Sequence, residues 1–188
     1  MVEITKILAR EVLDSRGNPT VEVEMHSNSL SASSIVPSGA STGRNEALEL
    51  RDGDKRFLGK GVRRAIDNVN RIITPKILGC DCAEQQTIDN ILIELDGTEN
   101  KSNLGANAVL GVSIASAKLA AMIQKKHLFD YLNVLFNKKE KLILPCPQLN
   151  VINGGMHAGT KLAIQECMII PYKAASFREA LMISAEVY

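Results

Sequence analysis

The sequence predicts a three-stranded antiparallel meander followed by helices in one domain, and then the beginning of a second domain. Strand-like segments with short turns occupy residues 4–36, and the apolar period then becomes helical. Strand-like sequence returns after the charged run NKKEK at residues 137–141. This solvated run is the expected boundary, so we expect domains at residues 1–137 and 142–188.

Three strands are expected at the start of the chain. Residues 4–14 mix β-branched and aliphatic residues with charges, and the turn sequence DSRGNP ends them. Residues 20–25, TVEVEM, alternate strictly, and residues 26–29 are the next turn. Residues 30–36 are the third strand, which ends at Pro37. Consecutive strands with such short links favour an antiparallel meander.

Four helices are expected next. Apolar residues recur at helical spacing from Val62 to Ile73, and Pro75 is expected to end this helix. Asp81 is expected to begin a second helix, with Glu84 at the capping-box position. A third helix is expected at residues 106–125, which are apolar on nearly every side and are therefore expected to be buried, and a fourth at residues 128–136.

The region after residue 141 has the pattern strand, glycine loop, strand, helix. Residues 152–159 are the expected loop and residues 162–170 the expected strand. Ser176 is expected to cap a last helix, with Glu179 completing a capping box. About 45 residues are too few to bury a sufficient core alone, so this region is expected to be the start of a second domain.

Composition excludes several classes of function. The chain has 188 residues, a net charge of +1, 4% aromatic residues and no tryptophan. A near-neutral chain with few aromatic residues offers neither the basic field nor the stacking platforms of nucleic-acid binding. We expect no window to approach the apolar length that spans a bilayer. The four scattered cysteines and the absence of a signal peptide predict reduced thiols and a cytoplasmic protein.

Two polar residues of the second region are candidates for chemistry. His157 lies in a glycine-rich loop, where it could approach a ligand closely or simply be a solvated loop histidine. Glu166 shares one face of the expected strand with apolar residues, so its carboxylate should be paired, protonated or functional. The alternative is an edge strand with one exposed side.

One loop of small residues follows the third strand. It contains Ser38, Gly39, Ala40, Ser41, Thr42 and Gly43. Hydroxyls and free backbone groups of this kind suit a phosphate or a hard cation, although most such loops are only loops. His26 and His127 have no polar constellation around them in the sequence and are expected to be structural or surface residues.

Nine stretches together resemble enolase, in family order from one end of the chain to the other. They are DSRGNPTVEV at 14–23, VPSGASTG at 36–43, ELRDGDK at 49–55, GKG at 59–61, LDGTENKS at 95–102, LGAN at 104–107, NVINGG at 150–155, HAG at 157–159 and QE at 165–166. The combination is far more specific than any single motif, and it suggests a eukaryotic-like member.

The resemblance implies a fold and a reaction. The fold is an α+β N-terminal domain followed by the truncated start of a TIM-like α/β barrel that opens with two antiparallel strands. The reaction is the lyase reaction of glycolysis, the Mg²⁺-dependent dehydration of 2-phosphoglycerate to phosphoenolpyruvate by phosphopyruvate hydratase. It also implies a homodimer for the full-length family, in which Arg10 and Glu22 meet the partner subunit's barrel.

The resemblance also implies individual roles. Ser41 corresponds to a ligand of the second magnesium ion, in a mobile lid loop at residues 38–43. His157 corresponds to a substrate-contacting histidine. Glu166 corresponds to an acidic residue that binds substrate near the leaving hydroxyl and acts in catalysis.

Several features of the family pattern are missing or altered. The carboxylates of the first magnesium ion, the catalytic lysine and its partner lysine lie beyond Tyr188 in the family. Met156, Cys167 and Lys173 depart from the usual residues. The chain alone is therefore expected to be inactive, and the alternative is a non-catalytic enolase-like protein that acts through protein contacts.

Overall fold

The computed structural model describes residues 2–39, 43–136 and 141–188, and the chain divides into two compact units, Met1–Lys138 and Lys139–Tyr188. The first unit contains a three-stranded antiparallel sheet of β1 (Lys6–Leu13), β2 (Pro19–Ser27) and β3 (Leu30–Ile35), with β2 in the middle. The predicted meander is confirmed. The second strand runs two residues past the predicted one because Lys6 and Ser31 both pair with His26 across the sheet.

Helices make up much of the rest of the first unit. A short 3-10 turn at Arg56–Gly59 precedes them. They are α1 (Arg63–Asp67), a π-helical stretch (Asn68–Ile73), α2 (Thr74–Ile77), α3 (Gln85–Asp96), α4 (Ala106–Ile123) and α5 (Leu128–Leu135).

Helix α4 packs on the sheet and contacts β2 and β3. A Cβ atom at Gly111 would lie 2.8 Å from Cγ2 of Val23, so glycine lets the helix approach the sheet closely. The buried core joins sheet residues such as Val23 and Met25 to Val112 and Leu119 of the helix. As predicted, α4 is buried on several sides.

By length and composition α4 could also cross a membrane, which corrects the expectation that no window is long and apolar enough. Core helices of soluble proteins pass the same test, and 56% of this window is buried inside the structure. The apolar sequence of α4 is explained by its packing against the sheet.

Pro75 does not end its helix, contrary to the prediction, because the backbone widens before it. The Thr74 N–H donates to the carbonyl of Val69, five residues back, and the Thr74 hydroxyl donates to the same oxygen at 2.8 Å. A proline in an ordinary α-helix clashes with the carbonyl four residues earlier. The π-helical stretch shifts the carbonyls, and α2 continues to Ile77.

The predicted capping box at Asp81 is also wrong. The Asp81 carboxylate accepts from the Ala83 N–H at 3.1 Å, and its carbonyl accepts from the Glu84 N–H, so Asp81 closes a separate turn. Glu3 also pairs with Asp81 in an isolated antiparallel bridge. Helix α3 therefore begins four residues later, at Gln85, and it ends at Gly97 with a left-handed φ of 66°.

His26 has polar partners that the sequence did not reveal. Its Nε2 lies 2.6 Å from Oε1 of Glu24, and the other oxygen of Glu24 accepts from Arg10, which also pairs with Glu22. The hydrogen bond from Arg10 and then that from His26 hold the pKa of Glu24 below its usual range. Glu22, Glu24 and His26 are spaced two residues apart on β2, so the strand's period of two places them on one face.

The second unit is smaller. It contains β4 (Leu149–Asn153), the short helix α6 (Gly155–Ala158), β5 (Glu166–Ile169) and α7 (Phe177–Val187), and β4 pairs antiparallel with β5. Ser176 caps α7 as predicted, since its hydroxyl accepts from the Glu179 N–H at 3.2 Å. The Glu179 carboxylate accepts from the Ala175 N–H, one residue before the N-cap.

Asp96 is a buried carboxylate with local donors at the end of α3. It is 1% exposed, and it accepts from the Leu104 N–H at 2.8 Å and from both the N–H and the hydroxyl of Thr98. Burial acts to raise its pKa, but the hydrogen bonds from Leu104 and Thr98 outweigh burial and lower it. Asp96 therefore organises the turn between α3 and α4.

We expect Asp96→Asn to lower the free energy of unfolding by about 2–4 kcal/mol, because an amide nitrogen would face N–H and O–H donors. Because the folded pKa is depressed, the contribution of the carboxylate is fully present above about pH 4 and is lost as pH falls through the folded pKa. Urea unfolding followed by far-UV circular dichroism at several pH values measures both effects.

Asp67→Asn is the matched control, because Asp67 is exposed and pairs with Arg71 on the helix surface at 3.4 Å. Its expected effect is within about 0.5 kcal/mol. Equal unfolding midpoints for the two variants at neutral pH would contradict the role given to Asp96.

Candidate active site

A cleft of about 420 Å³ lies in the first unit, beside the point where the chain leaves β3. It is lined by Asp14, Arg16, Asn18, Ser38, Gly39, Glu49, Arg51 and Lys60. Two of these residues, Ser38 and Gly39, are the first residues of the loop that the sequence singled out. The cleft therefore lies beside the start of that loop.

The turn between β1 and β2 forms one wall of the cleft. The Asp14 carboxylate accepts from the Asn18 N–H at 2.8 Å and from the Arg16 N–H at 2.9 Å. The hydrogen bond from Asn18 and then the one from Arg16 hold the Asp14 pKa below its usual range. Lys60 joins the turn by donating from Nζ to Oδ1 of Asn18 at 2.9 Å.

An ion pair between Glu49 and Arg51 also lines the cleft, with Nη2 of Arg51 2.6 Å from Oε1 of Glu49. The Ser38 hydroxyl donates to the other oxygen of Glu49 at 2.9 Å and accepts from Arg51 at 3.2 Å. Nη1 of Arg51 also donates to the carbonyls of Pro19 at 2.6 Å and Lys60 at 2.7 Å. The Ser38 hydroxyl is thus bonded to both members of a charged pair, and Arg51 of that pair is itself bonded to two carbonyls.

Three of the six residues of the predicted lid loop, Ala40, Ser41 and Thr42, lie outside the described residues. The assignment of Ser41 as a metal ligand stays a prediction. At the far end of the loop, the Glu46 N–H donates to the carbonyl of Gly43 at 3.2 Å and forms a turn.

In the second unit, the β4–β5 hairpin carries the two other predicted site residues. Asn153 pairs with Glu166 across the hairpin, and the next N–H, that of Gly154, donates to the carbonyl of Gln165 at 2.9 Å. The backbone of His157 follows in α6. A Cβ atom at Gly154 would lie 2.1 Å from the carbonyl oxygen of Ile164, so only glycine fits here. The hairpin brings the glycine loop and Glu166 to the same end.

The predicted strand at residues 162–170 is too long, since β5 begins only at Glu166. The carbonyls of Leu162 and Gln165 accept from the N–H groups of Gly155 and Gly154 instead. Residues 162–165 are therefore hydrogen-bonded to the glycine loop and are not part of the strand. The predicted loop at residues 152–159 is correspondingly wrong in part, because its start belongs to β4 and residues 155–158 form α6.

Glu166 is exposed, as are Leu162, Ile164, Met168 and Ile170, the apolar residues expected to share its face. In this structure the alternative of a strand with one exposed side is the one that applies to this face. Burial therefore places no constraint on the Glu166 carboxylate. Its catalytic assignment stays a prediction that rests on the resemblance.

The described residues do not provide a complete donor set for magnesium. Within residues 2–39, 43–136 and 141–188, no group of three or more His, Cys, Asp or Glu side chains could hold a metal ion. Magnesium takes octahedral oxygen coordination, which one serine hydroxyl cannot provide. The described residues therefore do not fit the ion by themselves.

The roles of Glu49, Arg51 and Asp14 were not found by sequence reasoning, although all three lie in motifs that carried the resemblance. A usable signal was present, since Glu49 and Arg51 are two charged residues either side of the buried Leu50. A period of two with opposite charges indicates a possible ion pair on one side of an extended segment. Only the folded chain shows that this pair meets Ser38.

The fold and the cleft define a protein that joins an α+β domain to the first elements of an α/β barrel domain. Residues 4–132 match the family described as the enolase N-terminal domain, and residues 141–188 match the enolase C-terminal TIM barrel domain. The chain belongs to the enolase family.

Curated relatives agree with the family match. The enolase of Thermococcus gammatolerans is 58% identical over 186 residues, which are 99% of this chain and 42% of the relative. The enolases of Thermococcus kodakarensis and Pyrococcus furiosus are each 56% identical with the same coverage. All three are archaeal, whereas the resemblance suggested a eukaryotic-like member. The chain thus spans less than half the length of these relatives.

Proposed function

We propose that this chain supplies the N-terminal domain and the first barrel elements of an enolase, a lyase that dehydrates 2-phosphoglycerate to phosphoenolpyruvate in glycolysis. The observation that carries the proposal is 58% identity to a named enolase over 99% of the chain. At that identity the fold and the placement of matching motifs are shared, and function is carried by the site residues within them.

In this proposal Glu166 and His157 act on the substrate. His157 contacts the bound substrate from the glycine loop. Glu166 transfers a proton to the departing hydroxyl, which leaves as water, and such a transfer contributes a factor of about 100 to 10,000 to the rate. The backbone pairing of Asn153 with Glu166 supports this assignment, because it places residue 166 at the end of the hairpin that carries the loop.

The first unit would contribute the loop after β3. Ser41 would be a ligand of the second magnesium ion, and residues 38–43 would cover the substrate. The cleft beside Ser38 and Gly39 supports a role for this region in binding. A loop that covers the substrate excludes water and completes the site.

The proposed complete enzyme is a cytoplasmic homodimer. The described residues that bear on this are Arg10 and Glu22, which form an ion pair on the surface of the sheet, with 45% of the Arg10 side chain exposed. A surface pair of this kind contributes little to the stability of the subunit itself, and the exposed part of the Arg10 side chain is accessible to a partner.

A chimera tests the proposed function. This chain replaces the matching part of the Thermococcus gammatolerans enolase, so that the relative supplies the rest of the barrel. We expect the purified chimera to form phosphoenolpyruvate from 2-phosphoglycerate in the presence of Mg²⁺, and the relative's own enolase is the positive control. A folded chimera without activity, beside an active control, would contradict the proposal.

A further inference from the structure

Arg51 is the most highly connected side chain of the cleft. Its guanidinium donates to four groups: the Glu49 carboxylate, the Ser38 hydroxyl and the carbonyls of Pro19 and Lys60, at 2.6 to 3.2 Å. Its side chain is only 23% exposed. Nothing in the proposed chemistry uses this group.

The four acceptors belong to separate stretches of the chain. Pro19 begins β2, Ser38 follows β3, and Lys60 follows the 3-10 turn. Between β3 and that turn the described chain has no helix or strand. Regular backbone hydrogen bonding therefore does not attach residues 36–39 to the segment that carries Glu49 and Arg51. The side chains of Arg51 and Glu49 make that connection.

The geometry requires an arginine. One nitrogen of the guanidinium binds two carbonyls while the other binds a carboxylate and a hydroxyl. Arginine presents its donors in a rigid planar fork, whereas lysine concentrates three donors on a single atom. A lysine at this position would keep the charge but lose some of the four hydrogen bonds.

We propose that Arg51 is a positioning residue that acts through Ser38. It sets the place and direction in which residues 36–39 leave the body of the domain. The Ser38 hydroxyl links Arg51 to residues 36–39, because it donates to Glu49 and accepts from Arg51. For its effect on turnover the proposal rests on the proposed function, while its effect on local structure does not.

The first test is amide hydrogen exchange in the 188-residue polypeptide with Arg51→Lys and the matched control Arg64→Lys. Arg64 is exposed, and its guanidinium donates to no group in the described part of the chain. The probes are the N–H of Val36, bonded to Val21, and the N–H of Leu48, bonded to Asn100. We expect about tenfold faster exchange at these two amides in Arg51→Lys only, because local opening is governed by local contacts.

Amides of the β1–β2 ladder report global opening. Exchange that rises equally at the probes and in the ladder would overturn the proposal, since Arg51 would then act on general stability. Unchanged exchange at both probes would overturn it as well.

The second test is steady-state kinetics of the same variants in the chimera. A displaced loop lowers the fraction of binding-competent enzyme, so we expect Arg51→Lys to raise KM about tenfold with kcat within about twofold. Arg64→Lys is expected to change neither. A fall in kcat at constant KM would overturn the positioning role and indicate a direct effect on chemistry.

A double-mutant cycle tests the route through Ser38. Ser38→Ala should reproduce much of the Arg51→Lys effect on KM, and the double variant should be less impaired than the product of the single effects. Independent effects that multiply would overturn the route. If the wild-type chimera has no activity, the proposed function fails, while hydrogen exchange still decides the local role of Arg51.

Discussion

A polypeptide of these 188 residues, produced by itself, is expected to convert no detectable 2-phosphoglycerate to phosphoenolpyruvate. A TIM barrel takes about 250 residues, and only residues 141–188 match the barrel domain. The described residues form no metal cluster, and the resemblance assigns the catalytic lysine to positions beyond Tyr188. Loss of the general base alone costs a factor of about 100 to 10,000 in rate.

The measurement is turnover by the pure polypeptide with Mg²⁺ at high protein concentration, beside the chimera as positive control. Turnover by the polypeptide that is abolished by Glu166→Gln would contradict the expectation, because it would show a complete site within this chain. An inactive polypeptide beside an inactive, folded chimera would favour the alternative of a non-catalytic protein that acts through protein contacts.

In the chimera, Glu166→Gln is expected to lower kcat by a factor of about 100 to 10,000 while leaving the fold intact. Glutamine has nearly the same shape but cannot donate a carboxyl proton. Because Glu166 is exposed on a short strand, the substitution leaves no buried donor or acceptor unsatisfied in the second unit. The comparison therefore separates chemistry from stability.

Glu94→Gln is the matched control, since Glu94 is an exposed residue on α3. Its expected effect on kcat is less than about twofold, as for surface substitutions away from a site. If both variants retain the kcat of the parent chimera, Glu166 is not the proton donor, and the assignment of the leaving-group role is wrong.

Local patterns predicted much of the fold correctly. The three-stranded meander follows from alternation and short turns, and the bounds of α4 were predicted to within two residues. Ser176 was recognised as a cap because its partner lies three residues away. In each case the interactions that decide the structure are within a few residues, so the sequence pattern contains them.

The wrong predictions have a common physical cause. Pro75 is accommodated by a π-helical stretch, Asp81 closes a turn instead of capping a helix, and Leu162 to Gln165 bond to the glycine loop. Each outcome depends on which backbone groups compete for a partner. Propensity and periodicity do not settle that competition.

The candidate site likewise has residues that the sequence identified and residues that only the structure revealed. Ser41, His157 and Glu166 were identified from motifs, and their chemical roles remain proposals. The cluster of Glu49, Arg51 and Ser38 was not predicted, because its members meet through side-chain hydrogen bonds across 13 residues or fewer in a segment without helix or strand.

The sequence by itself determined the family, the strand order of the meander with the main helices after it, and the motifs that carry the proposed chemistry. Those properties depend on residue type and short-range spacing, which can be read directly from the sequence. Only the tertiary structure decided that Arg51 ties Ser38 to Pro19 and Lys60, that His26 meets Glu24, and that Gly154 lies against the carbonyl of Ile164. Such contacts join groups whose distance is set by packing of the whole unit, and no local rule contains that distance.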